Sequence, residues 1–96
     1  MGIKEIIGDK RNEILKIASR HGATDVRVFG SVARGDARPD SDVDFLVKLE
    51  PGVTLLGHAA LVRELENYLG RKVDVISEMG LRQRVRHNVL REARPL

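Results

Sequence analysis

A chain of 96 residues has room for one domain with one modest core, because a chain of this size buries about 60–65% of the surface its unfolded form exposes. Hydrophobic residues at 42% and charged residues at 32% exclude intrinsic disorder, the absence of cysteine excludes disulfides and thiolate metal sites, and three aromatics (Phe29, Phe45, Tyr68) are too few for a base-stacking platform. The net charge of +3 belongs to the tail: residues 80–96 carry Arg82, Arg84, Arg86, Arg91 and Arg94 against Glu92, whereas the rest carries 12 basic against 13 acidic residues.

In chain order, Ile3, Ile6, Ile7, Ile14, Ile17 and Ala18 recur at helical spacing and predict a helix over 3–20. Gly8 is its expected kink, Asp9 the cap of the part running to Arg20, and Gly22 its stop. Val26 and Val28 alternate with Arg27 and end in Phe29, a short strand leading straight into Gly30-Ser31. Gly35, Pro39 and several Asp and Ser residues then allow a short helical turn and a loop. A second strand is predicted over 42–49, closed by Pro51-Gly52. Leu55, Ala59, Val62, Leu65 and Leu69 trace a helix that Thr54 caps and Gly70 ends. Over 72–77 a third strand carries Val73 and Val75 on one face and Asp74 and Ile76 on the other. Leu81, Val85 and Val89 mark a last helix with arginines around the rest of its circumference. The expectation is one α/β (α+β) domain over residues 1–96, a small sheet with flanking helices.

The chemistry lies in a constellation of carboxylates. Asp42 and Asp44, two residues apart on a predicted strand, project from one face, and Asp74 sits inside another apolar strand. Neighbouring buried carboxylates cost several kcal/mol each without a compensating cation, and no lysine or arginine alternates with them on those strands. A divalent metal supplies the compensation. Oxygen-only ligands suit Mg²⁺, and two such ions can share a pair of aspartates, one activating the attacking oxygen and the other neutralising the leaving phosphate. Gly30-Ser31 is the candidate phosphate cradle: a glycine lets backbone approach an anion, and the serine offers a hydroxyl and an N–H.

Taken together, Phe29-Gly30-Ser31-Val32-Ala33-Arg34-Gly35-Asp36, then Ser41-Asp42-Val43-Asp44-Phe45-Leu46-Val47, then Val73-Asp74-Val75-Ile76 resemble the DNA polymerase β-like nucleotidyltransferase superfamily. Within it the chain is similar to the minimal nucleotidyltransferases that act as antitoxins beside HEPN-domain toxins, over nearly its whole length. The resemblance implies a small mixed sheet with flanking helices, Gly30 and Ser31 gripping ATP, and Asp42 and Asp44 holding two Mg²⁺. Asp74 would ligate the metal beside the nucleophile and help deprotonate it. The implied reaction moves AMP from ATP to a hydroxyl, in the antitoxin branch a tyrosine of the HEPN ribonuclease, and so silences the toxin. Arg34 either reaches the triphosphate or pairs with a neighbouring carboxylate.

Three functional readings stand side by side. The first is a Mg²⁺-dependent adenylyltransferase antitoxin in a hetero-oligomer with its toxin. The second is a binding module that neutralises the toxin by occlusion, its nucleotide site vestigial. The third, a nucleic-acid binder built on the basic helix of residues 80–94, is the least favoured, since one arginine-rich helix is ordinarily a solvated face. His58 falls within the apolar stripe of its helix and is read as a satisfied histidine, Tyr68 as helix packing, and the match of Arg82 and His87 to the spacing of the arginine–histidine pair of HEPN ribonucleases as coincidence. The chain has no apolar run of the ~20 residues a membrane span needs and no signal-peptide stretch at its start, so a soluble cytoplasmic protein is expected.

Overall fold

The computed structural model describes residues 1–96. Four strands, β1 (Ala23–Phe29), β2 (Val43–Leu49), β3 (Val73–Ser77) and β4 (Arg94–Pro95), form one mixed sheet in the order β3-β2-β1-β4. β1 pairs antiparallel with β2 and with β4, and β2 pairs parallel with β3. A parallel pair cannot be joined by a hairpin, so the chain crosses between β2 and β3 through a helix, α4 (Leu55–Leu69). The Thr54 hydroxyl accepts from the Gly57 N–H at its start, and Gly70 ends it at φ +69. Both end signals match the sequence expectation.

Alternation along β2 and β3 sorts the residues. Val43, Phe45, Val47, Val73 and Val75 turn to one face and are buried there with Val28 of β1. α2 (Arg11–Arg20) and α4 cover that face with Ile14, Ile17, Leu61 and Leu65. The interdigitated core is what holds β2 in the centre of the sheet. The opposite face carries Asp44, buried Leu46 and exposed Lys48 from β2, and Asp74 and Ile76 from β3. α5 (Gln83–Glu92) is an open helix with no buried residue.

The first predicted helix is broken. It runs as α1 (Ile3–Ile6), a tight turn over Gly8–Lys10 that begins at φ +48 on Gly8, and then α2. Asp9 does not cap α2: the turn feeds the helix through Lys10 at φ −78, ψ −6, so no extended residue precedes it from which a side chain can reach back. The second strand begins at Val43, leaving Asp42 outside it. β4 was not anticipated, because two residues have no periodicity to read. His58 behaves as expected, its Nε2 lying 2.8 Å from the carbonyl oxygen of Val75.

Candidate active site

The site forms where β1 ends and β2 begins. Phe29, Asp44 and Asp74 are register neighbours on adjacent strands, so one turn of β1 and two aspartates meet at the same level of the sheet. Directly after Phe29 the chain turns into α3 (Gly30–Arg34). Gly30 has φ +71, and a Cβ there would overlap Oδ2 of Asp44. Two independent constraints therefore demand glycine: a left-handed backbone and the contact of main chain with carboxylate.

Asp44 is half-buried, while Asp42 and Asp74 are exposed at the rim. Burial is the chief reason its carboxyl is pushed up to about 6; the charges of Asp74 and then Asp42 push the same way, Arg34 opposes them, and Glu92 adds a further upward push. A cation placed among these oxygens would reverse the sign of the local field. No three of the chain's acidic or histidine side chains converge closely enough to hold an ion as they stand. Asp42 lies on the loop ahead of β2, outside the strand that carries Asp44. The donor set nevertheless fits Mg²⁺, which takes one or two carboxylates and completes its shell with water and substrate phosphate. Asp42, Asp44 and Asp74 are the residues that would hold it.

Around the cradle, Ser31 is half-buried in the first turn of α3, and Arg34 closes that helix on its exposed side. Glu92, at the end of α5, accepts from the Gly30 N–H at 2.6 Å and from Arg34 Nη1 at 3.1 Å. Asp36 lies 3.4 Å from Arg34 Nε. The two carboxylates together raise the Arg34 guanidinium above its usual value, Glu92 most. Of the two roles open to Arg34 in the sequence, the structure displays the ion pair.

Glu92 was not singled out in the sequence, although the signal existed: it is the lone acid in an arginine-rich tail. A cavity of about 320 Å³ lies elsewhere, lined by Lys48, Leu49, Ser77, Glu78, Met79 and Arg86. It sits at the far end of β2 from Asp44 and shares no residue with the carboxylate cluster.

A glycine forced against an aspartate, with two more aspartates at the same sheet edge, agrees with what known proteins indicate. The family model of the nucleotidyltransferase domain matches residues 11–96. The chain belongs to the nucleotidyltransferase domain family. Among its relatives is protein adenylyltransferase MntA of Thermococcus cleftensis, 40% identical over 77 residues that cover 80% of this chain and 78% of that protein. A solved structure described as a minimal nucleotidyltransferase is 55% identical with a TM-score of 0.87, covering 100% of this chain and 97% of that one. The fold also matches a crystal structure of a toxin–antitoxin with AMP-PNP, at a TM-score of 0.77 and 20% identity over 88% of this chain and 69% of that one. This nucleotidyltransferase thus has the mixed sheet and flanking helices that the motifs implied, and it is an enzyme of the protein adenylyltransferase kind. No helix in it is long and apolar enough to cross a membrane.

Proposed function

We propose that residues 1–96 act as one catalytic unit, a Mg²⁺-dependent adenylyltransferase antitoxin that transfers AMP from ATP to a tyrosine of a cognate HEPN ribonuclease toxin. The observation that carries the reading is Asp44, half-buried against Gly30 and flanked by two more carboxylates whose charges raise it. Such a cluster is costly in an otherwise ordinary fold and has a use only if cations and an anionic substrate come to it. The antitoxin role is supported by likeness to protein adenylyltransferase MntA and, at the level of fold, by the toxin–antitoxin structure with AMP-PNP. Both partners would meet in the cytoplasm.

In this reading Gly30, Ser31 and Arg34 orient the triphosphate, Asp42 and Asp44 would hold the two metal ions, and Asp74 would ligate the one beside the nucleophile. Two bound Mg²⁺ would supply neutralisation of the triphosphate charge and acidification of the acceptor hydroxyl. The acceptor oxygen forms a bond to the α-phosphorus while the bond from that phosphorus to the β-phosphate oxygen breaks. Pyrophosphate leaves with the electron pair, and the acceptor's proton passes toward the exposed carboxylate of Asp74. Positioning and charge complementarity carry such a transfer, so little beyond the cradle and the aspartates is needed from the protein.

The test is the intact mass of the partner toxin after incubation with this chain, ATP and Mg²⁺, beside the Asp42→Ala, Asp44→Ala double variant. A gain of whole AMP units that disappears in the variant is the expected result. An unchanged mass in a stable complex, with the toxin still neutralised by the double variant at equal dose, would replace the enzyme reading with occlusion.

A further inference from the structure

Glu92 occupies the place where the substrate's charge is needed. It holds the Gly30 N–H and Arg34 with its two oxygens, one on each, and its side chain is 28% exposed. A carboxylate and a phosphate offer these donors the same thing, a charged oxygen acceptor, and one N–H serves one such acceptor at a time. Glu92 is also near enough to Asp44 for its charge to weigh on that carboxylate, as an unneutralised phosphate would.

The position is built, not incidental. α5 has no buried residue to seat it, and both its ends are tethered instead. Toward its start, Arg86 Nη1 donates to the Glu78 carbonyl oxygen at 3.1 Å, and Glu78 is held to β1 by Arg27 at 2.6 Å. Beyond its end Ala93 is buried, β4 pairs with Arg27 and Val28, and the Leu96 N–H donates to the Val26 carbonyl oxygen at 3.1 Å. Arg11 Nη2 adds a 2.7 Å bond to the Leu96 carbonyl oxygen. Glu92 stands at the joint between helix and strand, so the C-terminal strap carries its carboxylate to the cradle.

We propose that Glu92 is an internal competitor for the nucleotide's phosphate, occupying Gly30 and Arg34 in the free enzyme and setting nucleotide affinity by having to be displaced. The proposal rests on the reading of Gly30 and Arg34 as nucleotide-binding residues. Displacement also exchanges the Glu92 charge near Asp44 for that of a phosphate that brings its own cation, so nucleotide entry and the charge balance of the aspartate cluster are linked. A free enzyme stoppered in this way holds nucleotide weakly until the triphosphate arrives with its metal.

The test is calorimetric binding of the α,β-methylene analogue of ATP with Mg²⁺ to the unaltered chain, to Glu92→Gln and to Glu92→Ala. Asp36→Asn, which neutralises a carboxylate beside the same arginine at 3.4 Å, is the control for a general charge effect. Both Glu92 variants are expected to bind about tenfold more tightly, a size consistent with loss of a competing charge-assisted hydrogen bond, and Asp36→Asn no more than about twofold. Glu92 variants that bind no better than the unaltered chain, or no better than Asp36→Asn, overturn the competitor role while leaving the nucleotide site intact. If none of the chains binds the analogue, the nucleotide reading of the cradle falls and the competitor role with it. Unchanged thermal midpoints of the Glu92 variants confirm that a folded chain is being compared.

Discussion

The two faces of one strand obey opposite rules. On one side of β2, Val43, Phe45 and Val47 are buried under α2 and α4 with no polar atom among them. On the other, Asp44 shares its level of the sheet with Asp74 and presses on Gly30. The apolar face lowers the free energy of folding, and part of that stability is spent on the carboxylate face, where burial and like charges oppose ionisation. Neighbouring residues thus separate stability from chemistry, and substitutions on the two sides should fail in different ways.

The largest expected effect is on activity. Asp44→Asn should lower AMP transfer on the order of a thousandfold while its thermal midpoint at pH 7 stays level or rises, because a charge held in an unfavourable place has been removed. A fall in midpoint comparable to that of a core truncation would erase the distinction between the faces. Phe45→Ala, one residue along, is the converse: a cost of about 3–5 kcal/mol in stability from lost burial and a cavity, measured by denaturant unfolding. Gly30→Ala sits where the faces meet. The left-handed backbone costs about 1–3 kcal/mol, and displacement of Asp44 by the new Cβ should reduce transfer as well; a variant of full activity would show that the contact of Gly30 with Asp44 is dispensable.

The smallest effect is the pH dependence, which has one sign at Asp44 and the opposite sign at Glu64 on α4. Asp44 is raised from 3.8 to about 6, so the folded chain binds a proton more tightly than the unfolded chain. Its contribution opposes folding fully above about 6, and that opposition is relieved as pH falls from there toward 4. Glu64, lowered first by its hydrogen bond from His21 and then by that from Arg20, acts the other way: its stabilisation is present above the ordinary carboxylate value and is lost as pH falls through the lowered one. Thermal midpoints between pH 4 and 7 should therefore fall more steeply on acidification in Asp44→Asn than in the unaltered chain. Parallel curves would refute the raised carboxyl.

Much of this was legible beforehand because the local rules agreed. The period-two alternation of Val73, Asp74, Val75 and Ile76 predicts a two-faced strand and meets one, and Thr54 and Gly70 mark the ends of α4 because caps are written in single residue types. The break at Gly8 was visible, whereas the absence of a cap at Asp9 depended on the backbone entering α2 already helical. Asp42 reads as a strand residue from its neighbours, yet the pairing begins at Val43, whose N–H donates to the Lys72 carbonyl oxygen at 3.0 Å. Register is decided between strands, and no strand contains it alone.

By itself the sequence determined the order of the first three strands and the longer helices, the apolar face, the glycine after β1 and the three aspartates with their spacing, because each depends on residues close in the chain. Only the tertiary structure decided which of those aspartates is half-buried and which of them face each other across strands. It also decided that Glu92, separated from Gly30 by 62 positions, sits on its N–H. Charge and hydrogen bonding act through space, and the distances that set them exist only once the sheet has closed and the C-terminal strap has been laid along β1.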